Sequence, residues 1–127
     1  MTFALRLLTG FVALEHYGFM ILEMFLWTKP VGLRIFNQSQ SSADSSKVLA
    51  KNQGLYNGFL AAGLTASLLT SRPEIFDFCT GFFLICVAIA GIFGALTVNR
   101  KIFLVQALPA LIGLYFYFAQ GAASSLN

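Results

Sequence analysis

Leu7 to Thr28, LLTGFVALEHYGFMILEMFLWT, governs how the rest of the chain is understood. It is apolar and long enough to cross a bilayer, whose hydrocarbon core demands about 20 such residues. Yet it carries Glu15, His16 and Glu23. An ionised side chain near the centre of a membrane helix costs roughly 2.5 to 3.5 kcal/mol on insertion scales, and such residues usually face a bundle interior with a partner. Three of them in one span call for partners elsewhere in the chain.

The composition sets the solvent. Hydrophobic residues make up 57% of the 127 and charged residues 10%, with a mean hydropathy of +0.77; soluble domains are about 45 to 50% apolar and about 25% charged. The chain is expected to lie in lipid as one transmembrane domain. Its eight basic residues are too few and too scattered for nucleic-acid binding. The first apolar run is too long, and too charged at its centre, for a cleavable signal. Cys79 and Cys86 lie seven residues apart on one predicted helix, about 10 Å along its axis, so they read as packing residues rather than a disulfide.

Cutting the apolar runs at charges and turn signals gives four spans, about 7–28, 47–70, 75–98 and 102–120, and hence an all-α bundle of four transmembrane helices. Lys29-Pro30-Val31-Gly32 ends the first, with Trp27 at the headgroup level. The connection 29–46 contains the run Ser39-Gln40-Ser41-Ser42-Ala43-Asp44-Ser45-Ser46, which reads as a flexible solvated loop. Leu33, Ile35 and Phe36 within it fit a short segment on the membrane surface. In the second span Gly54, Gly58, Ala62 and Ala66 recur every fourth residue, a stripe that lets a neighbouring helix approach closely. Ser71-Arg72-Pro73-Glu74 is a tight turn that starts the third helix. Ala90, Gly91, Gly94 and Ala95 give that helix a second close-packing surface. Asn99-Arg100-Lys101 forms the last turn, and Pro109 in the fourth span frees the carbonyl of Val105 and predicts a kink.

Lys29, Arg34, Lys47, Lys51, Arg100 and Lys101 flank one side of the spans, and Arg6 and Arg72 the other. The positive-inside rule then puts the first and third connections in the cytoplasm and both termini outside.

Counted in from the cytoplasmic ends, Glu23, Gln53 and Gln106 fall at one level, about 6 to 8 Å below the boundary. Asn57 lies deeper, and Glu15 and His16 lie near the midplane. His16 and Glu23 share a helix face within about 20°, and Glu15 is 80 to 100° round, by a rotation of about 100° per residue. These positions predict a polar pocket open to the cytoplasm. Glu23 is its anionic centre, Asn52, Gln53, Asn57 and Gln106 its walls, Lys51 or Arg100 a counter-charge at the mouth, and His16 and Glu15 its floor, where an imidazole could relay a proton. The competing reading is that these groups satisfy one another and fix helix packing, at about 0.6 kcal/mol per interhelical hydrogen bond. Packing is favoured for the amides alone, function for Glu23 with His16.

Other chemistries are not expected. His16 and Glu23 stand about 10 Å apart on one helix, and no Glu-x-x-His or His-x-x-x-His spacing occurs, so no metal, haem or other cofactor is anticipated. No nucleophile elbow, phosphate loop or Ser-His-Asp order is visible, so an enzyme is the weakest reading. Tyr17, Tyr56, Tyr115, Tyr117 and the phenylalanines read as lipid-facing or interfacial.

Val12-Ala13-Leu14-Glu15-His16, Leu22-Glu23-Met24-Phe25-Leu26-Trp27-Thr28 and the run from Lys47-Val48-Leu49-Ala50-Lys51-Asn52-Gln53-Gly54-Leu55-Tyr56-Asn57-Gly58 to Gly63 resemble a bacterial integral-membrane family known as domain of unknown function 1304. Thr97-Val98 with Arg100-Lys101, and Val105-Gln106-Ala107-Leu108-Pro109-Ala110, resemble its last helical hairpin. The resemblance covers nearly the whole chain and implies a small multi-pass protein of the bacterial cytoplasmic membrane, with no activity to carry over. The leading expectation is binding or translocation of a small polar or cationic solute, or of protons. A homodimer would widen the narrow four-helix path. The alternative is an accessory or assembly subunit whose small-residue stripes pack against a larger membrane partner.

Overall fold

The computed structural model describes residues 3–124. They form α1 (Phe3–Phe25), α2 (Pro30–Ile35), α3 (Gln40–Leu69), α4 (Pro73–Thr97), a π-helical turn (Phe103–Ala107) and α5 (Leu108–Ser124). No strand occurs among them. Three stretches, Phe3–Phe25, Pro73–Thr97 and Phe103–Ala122, are long and apolar enough to cross a membrane. Large apolar side chains cover their outsides, with Leu96 82% and Leu14 71% exposed, which points to a membrane protein. The second predicted span is different. α3 is the longest helix, 30 residues, but Lys47, Lys51, Asn52, Gln53 and Asn57 dilute its apolar content, so length and hydropathy alone single out three spans rather than four.

The expected loop 29–46 is largely helical. Pro30 opens α2 at its first turn, where its fixed φ and missing N–H carry no penalty. α2 stops at Asn37, whose φ of 48° accompanies hydrogen bonds from Gln38 N to Leu33 O and from Asn37 N to Arg34 O, the Schellman pattern. Gln40 then begins α3. The serines that suggested disorder serve as local caps: Ser39 Oγ accepts the N–H of Ser42 at 3.2 Å, and Ser45 and Ser46 donate back to Ser42 O. Gln40 bonds Asp44 one turn on, and Ala43 is fully buried.

Contacts divide the chain, expected as one domain, into two compact units. One is Leu14–Ala61; the other comprises residues 3–13 and 62–124. In the first, the end of α1 packs antiparallel on the start of α3. The buried line of α3 runs Ala50, Gly54, Asn57, Ala61 and Leu64, alternating steps of four and three as a straight packing seam requires. The expected every-fourth stripe departs from it, because four residues overshoot a full turn by about 40°. Gly54 and Gly58 do meet α1, and a Cβ there would come within 2.6 Å of Met24 Cγ and 2.8 Å of Met20 Sδ. Ala62 and Ala66, further round, are exposed.

In the second unit α3, α4 and α5 follow one another as antiparallel neighbours. Thr80 donates to Ser67 Oγ at 3.0 Å, both fully buried. Gly91 lies directly on the backbone of the π-helical turn, where a Cβ would reach to 2.6 Å from Ala107 N; Gly94 faces Ile102. The disruption expected at Pro109 takes the form of that turn, in which Leu108 N–H bonds Phe103 O. Without a donor at Pro109 the ladder widens one step earlier. Tyr117, expected to be lipid-facing or interfacial, is half-buried with its ring against Gly81. Tyr56 and Tyr115 are exposed as expected, at 55% and 71%.

Candidate functional site

The buried line of α1 runs Leu5, Thr9, Val12 and His16, and its 4-3-4 spacing carries on to Glu23. His16 and Glu23 therefore share a face, as their spacing predicts. His16 is fully buried and meets Phe19 edge-on at 5.4 Å. Glu23 meets α3: Asn57 Nδ2 donates to Glu23 Oε2 at 2.7 Å, a charge-assisted length when the carboxyl is ionised, and Asn57 itself is only 5% exposed. Gly54, one turn earlier on α3, leaves the space that brings the two helices close enough for this bond.

Beside the pair is a cleft of about 310 Å³, lined by Glu23, Met24, Phe25, Trp27 and Thr28 from α1 and the turn after it, and by Lys47 and Lys51 from α3. Trp27 is fixed in this wall. Its indole N–H donates to Ser46 Oγ at 3.1 Å, its ring packs on Phe36 at 4.5 Å, and its carbonyl accepts from Gln38. A predicted interfacial anchor is thus also a positioned cleft residue.

The predicted constellation divides. Glu23 and Asn57 come together, and Lys51 lines the cleft with Glu23. Asn52 and Gln53, expected as walls, are exposed on α3 and outside the lining, because the inward face at this height is taken by Gly54 and Asn57. His16 and Glu15, expected as the floor, are also outside it. Glu15 is half-buried, and its Oε2 has no hydrogen-bond partner among the described residues. Gln106 and Arg100 belong to the other unit; Gln106 is half-buried in the π-helical turn, and Arg100 lines a separate groove with Ala95, Leu96, Phe103 and Leu104. Trp27, Thr28 and Lys47 were not foreseen in the site. The four-residue spacing of Lys47 and Lys51, which puts them on one side of α3, was the signal that could have found Lys47. Among the described residues no three His, Cys, Asp or Glu side chains gather as metal ligands would.

The profile of a family described as a protein of unknown function (DUF1304) matches residues 10–118. The chain belongs to this family. The match takes in every residue of the cleft. A relative, the uncharacterised protein YpaA of Lactococcus lactis subsp. lactis (strain IL1403), is 35% identical over 121 residues, covering 91% of this chain and 100% of its own length. No solved structure matches the chain significantly.

Proposed function

We propose that this DUF1304 protein is a four-span protein of the bacterial cytoplasmic membrane that binds or translocates a small polar solute, or protons, through the Glu23 cleft. The observation that carries the reading is Glu23 itself: a carboxyl fixed from one side by Asn57 and lining a cleft on the other. Apolar residues would pack α1 on α3 without the insertion cost of an acid. The bacterial relative supports the setting. α3 is the fourth span, with its polar first half at the cytoplasmic surface. Lys29, Arg34, Lys47, Lys51, Arg100 and Lys101 then lie on the cytoplasmic side and both termini outside. His16 and Glu15 lie deeper along α1 and extend the polar route past the cleft, and a second copy of the chain completes the path.

Two experiments test this. Cysteines placed at Lys51 and Arg72 should label from opposite faces of sealed vesicles, Lys51→Cys from the cytoplasmic face. Native mass spectrometry of the protein extracted gently from its host membrane should show a discrete non-lipid mass in the wild type that Glu23→Gln loses. A folded Glu23→Gln variant that keeps the mass would remove Glu23 from the site.

The accessory-subunit reading draws on Ala62 and Ala66, small residues left exposed on α3. It requires a membrane partner that Ala62→Leu releases while the chain stays folded. Gly58→Leu is no test of it, since Gly58 packs against Met20 of the same chain.

A further inference from the structure

The cleft's charges are mixed, and this restricts what can occupy it. One acid, Glu23, and two bases, the exposed Lys47 and Lys51, line it together. Neither lysine has an acidic partner among the described residues. Asn57 occupies only Oε2 of Glu23, which leaves Oε1 for a ligand. Trp27 donates its N–H to Ser46 and lines the cleft, and an indole ring attracts a cation within about 6 Å. A simple cation would find the carboxylate and the indole but also two like charges in the same space, and a simple anion would find the lysines but also Glu23.

We propose that the ligand is a small zwitterion, bound with its amine on Glu23 and Trp27 and its acid group on Lys47 and Lys51. This rests on the reading of Glu23 as the centre of a binding cleft and narrows it to a chemical class. About 310 Å³ lies at the low end of the roughly 300 to 1,000 Å³ usual for ligand sites, which suits a short molecule carrying both charges. Two sources share that chemistry: a free amino acid or amino phosphate, and the headgroup of an ethanolamine phospholipid.

Trp27 is the only tryptophan in the chain, so its fluorescence reports on the cleft without a label. The full chain, in nanodiscs of phosphatidylglycerol, is titrated with two zwitterions, phosphoethanolamine and L-alanine, and with the half-molecules ethanolamine and methyl phosphate. At least one zwitterion should give a saturable change at concentrations about tenfold or more below either half-molecule, a gap of about 1.4 kcal/mol. Glu23→Gln, which keeps an oxygen for Asn57, should erase the advantage over methyl phosphate. Lys47→Gln with Lys51→Gln, both exposed positions, should erase the advantage over ethanolamine. Adding phosphatidylethanolamine to the nanodiscs separates the sources: a shifted Trp27 emission that blocks the soluble zwitterion assigns the site to the headgroup, and an unchanged titration assigns it to the free solute. Ethanolamine binding as well as either zwitterion, with the lysine variants silent, overturns the zwitterion while leaving the Glu23 cleft standing. A zwitterion response that Glu23→Gln does not alter overturns both. No response to either zwitterion or to phosphatidylethanolamine overturns the zwitterion.

Discussion

The α1–α3 contact in Leu14–Ala61 and the α4–α5 contact in the other unit solve the same problem, bringing two helices within close range, with different chemistry. α4 meets the π-helical turn and α5 through Gly91, Gly94 and Gly81, with Ala107, Ile102 and Tyr117 filling the spaces. α1 and α3 use glycines too, at Gly54 and Gly58, but set a carboxyl and an amide between them. The α4–α5 contact shows that this sequence packs helices without acids. The Glu23–Asn57 pair instead stands beside a cleft that two lysines also line.

The glycine-built contact is most vulnerable at Gly91. Gly91→Leu drives a side chain into the backbone at Ala107, and overpacking of this kind costs about 1 to 3 kcal/mol and sometimes more; its midpoint of thermal unfolding in detergent should fall furthest of all. Next comes Asn57→Leu, which strands Glu23 against α3 and should cost about 1 to 3 kcal/mol. Adding Glu23→Leu to it should recover most of that loss, since removing both partners of a buried bond is nearly neutral. A double variant as unstable as the single one would mean that the pair is a structural keystone after all. The face of α3 is tested by a matched set: Ala61→Leu, at a fully buried site, should cost about 1 to 3 kcal/mol, whereas Ala62→Leu should stay within about 0.5 kcal/mol. Equal effects would mean that the seam has been placed on the wrong residues. Most local is Ser39→Ala, a lost N-cap worth about 1 kcal/mol, to be read as faster amide exchange confined to residues 40–46.

Which features were legible in the sequence follows from the same physics. α1, α4 and the last helix announce themselves by apolar length, and the shared face of His16 and Glu23 by seven-residue spacing. Pro109 foretold a break in the ladder, though the sequence alone could not distinguish a kink from the π-helical turn that forms. The serine run misled because serine competes for backbone bonds in loops and caps helices equally well; only the position of Ser39 relative to the buried Ala43 resolves it. The pairing partner of Glu23 was hidden for a different reason. Asn52, Gln53 and Asn57 are chemically interchangeable as partners, and choosing among them requires the rotation of α3, which the Gly54–Ala61 seam fixes and the Gly54–Ala66 stripe misstates by about 120° over its length.

Glu23, on this view, serves a ligand and is not required for folding. Carrying one preparation of wild type and one of Glu23→Gln through both melting and native mass spectrometry separates the two roles. Unfolding midpoints matching within about 0.5 kcal/mol, with the bound mass, free solute or ethanolamine phospholipid, present only in the wild type, is the predicted result. A destabilised Glu23→Gln that still carries the same bound mass would contradict it and return the pair to a purely structural role.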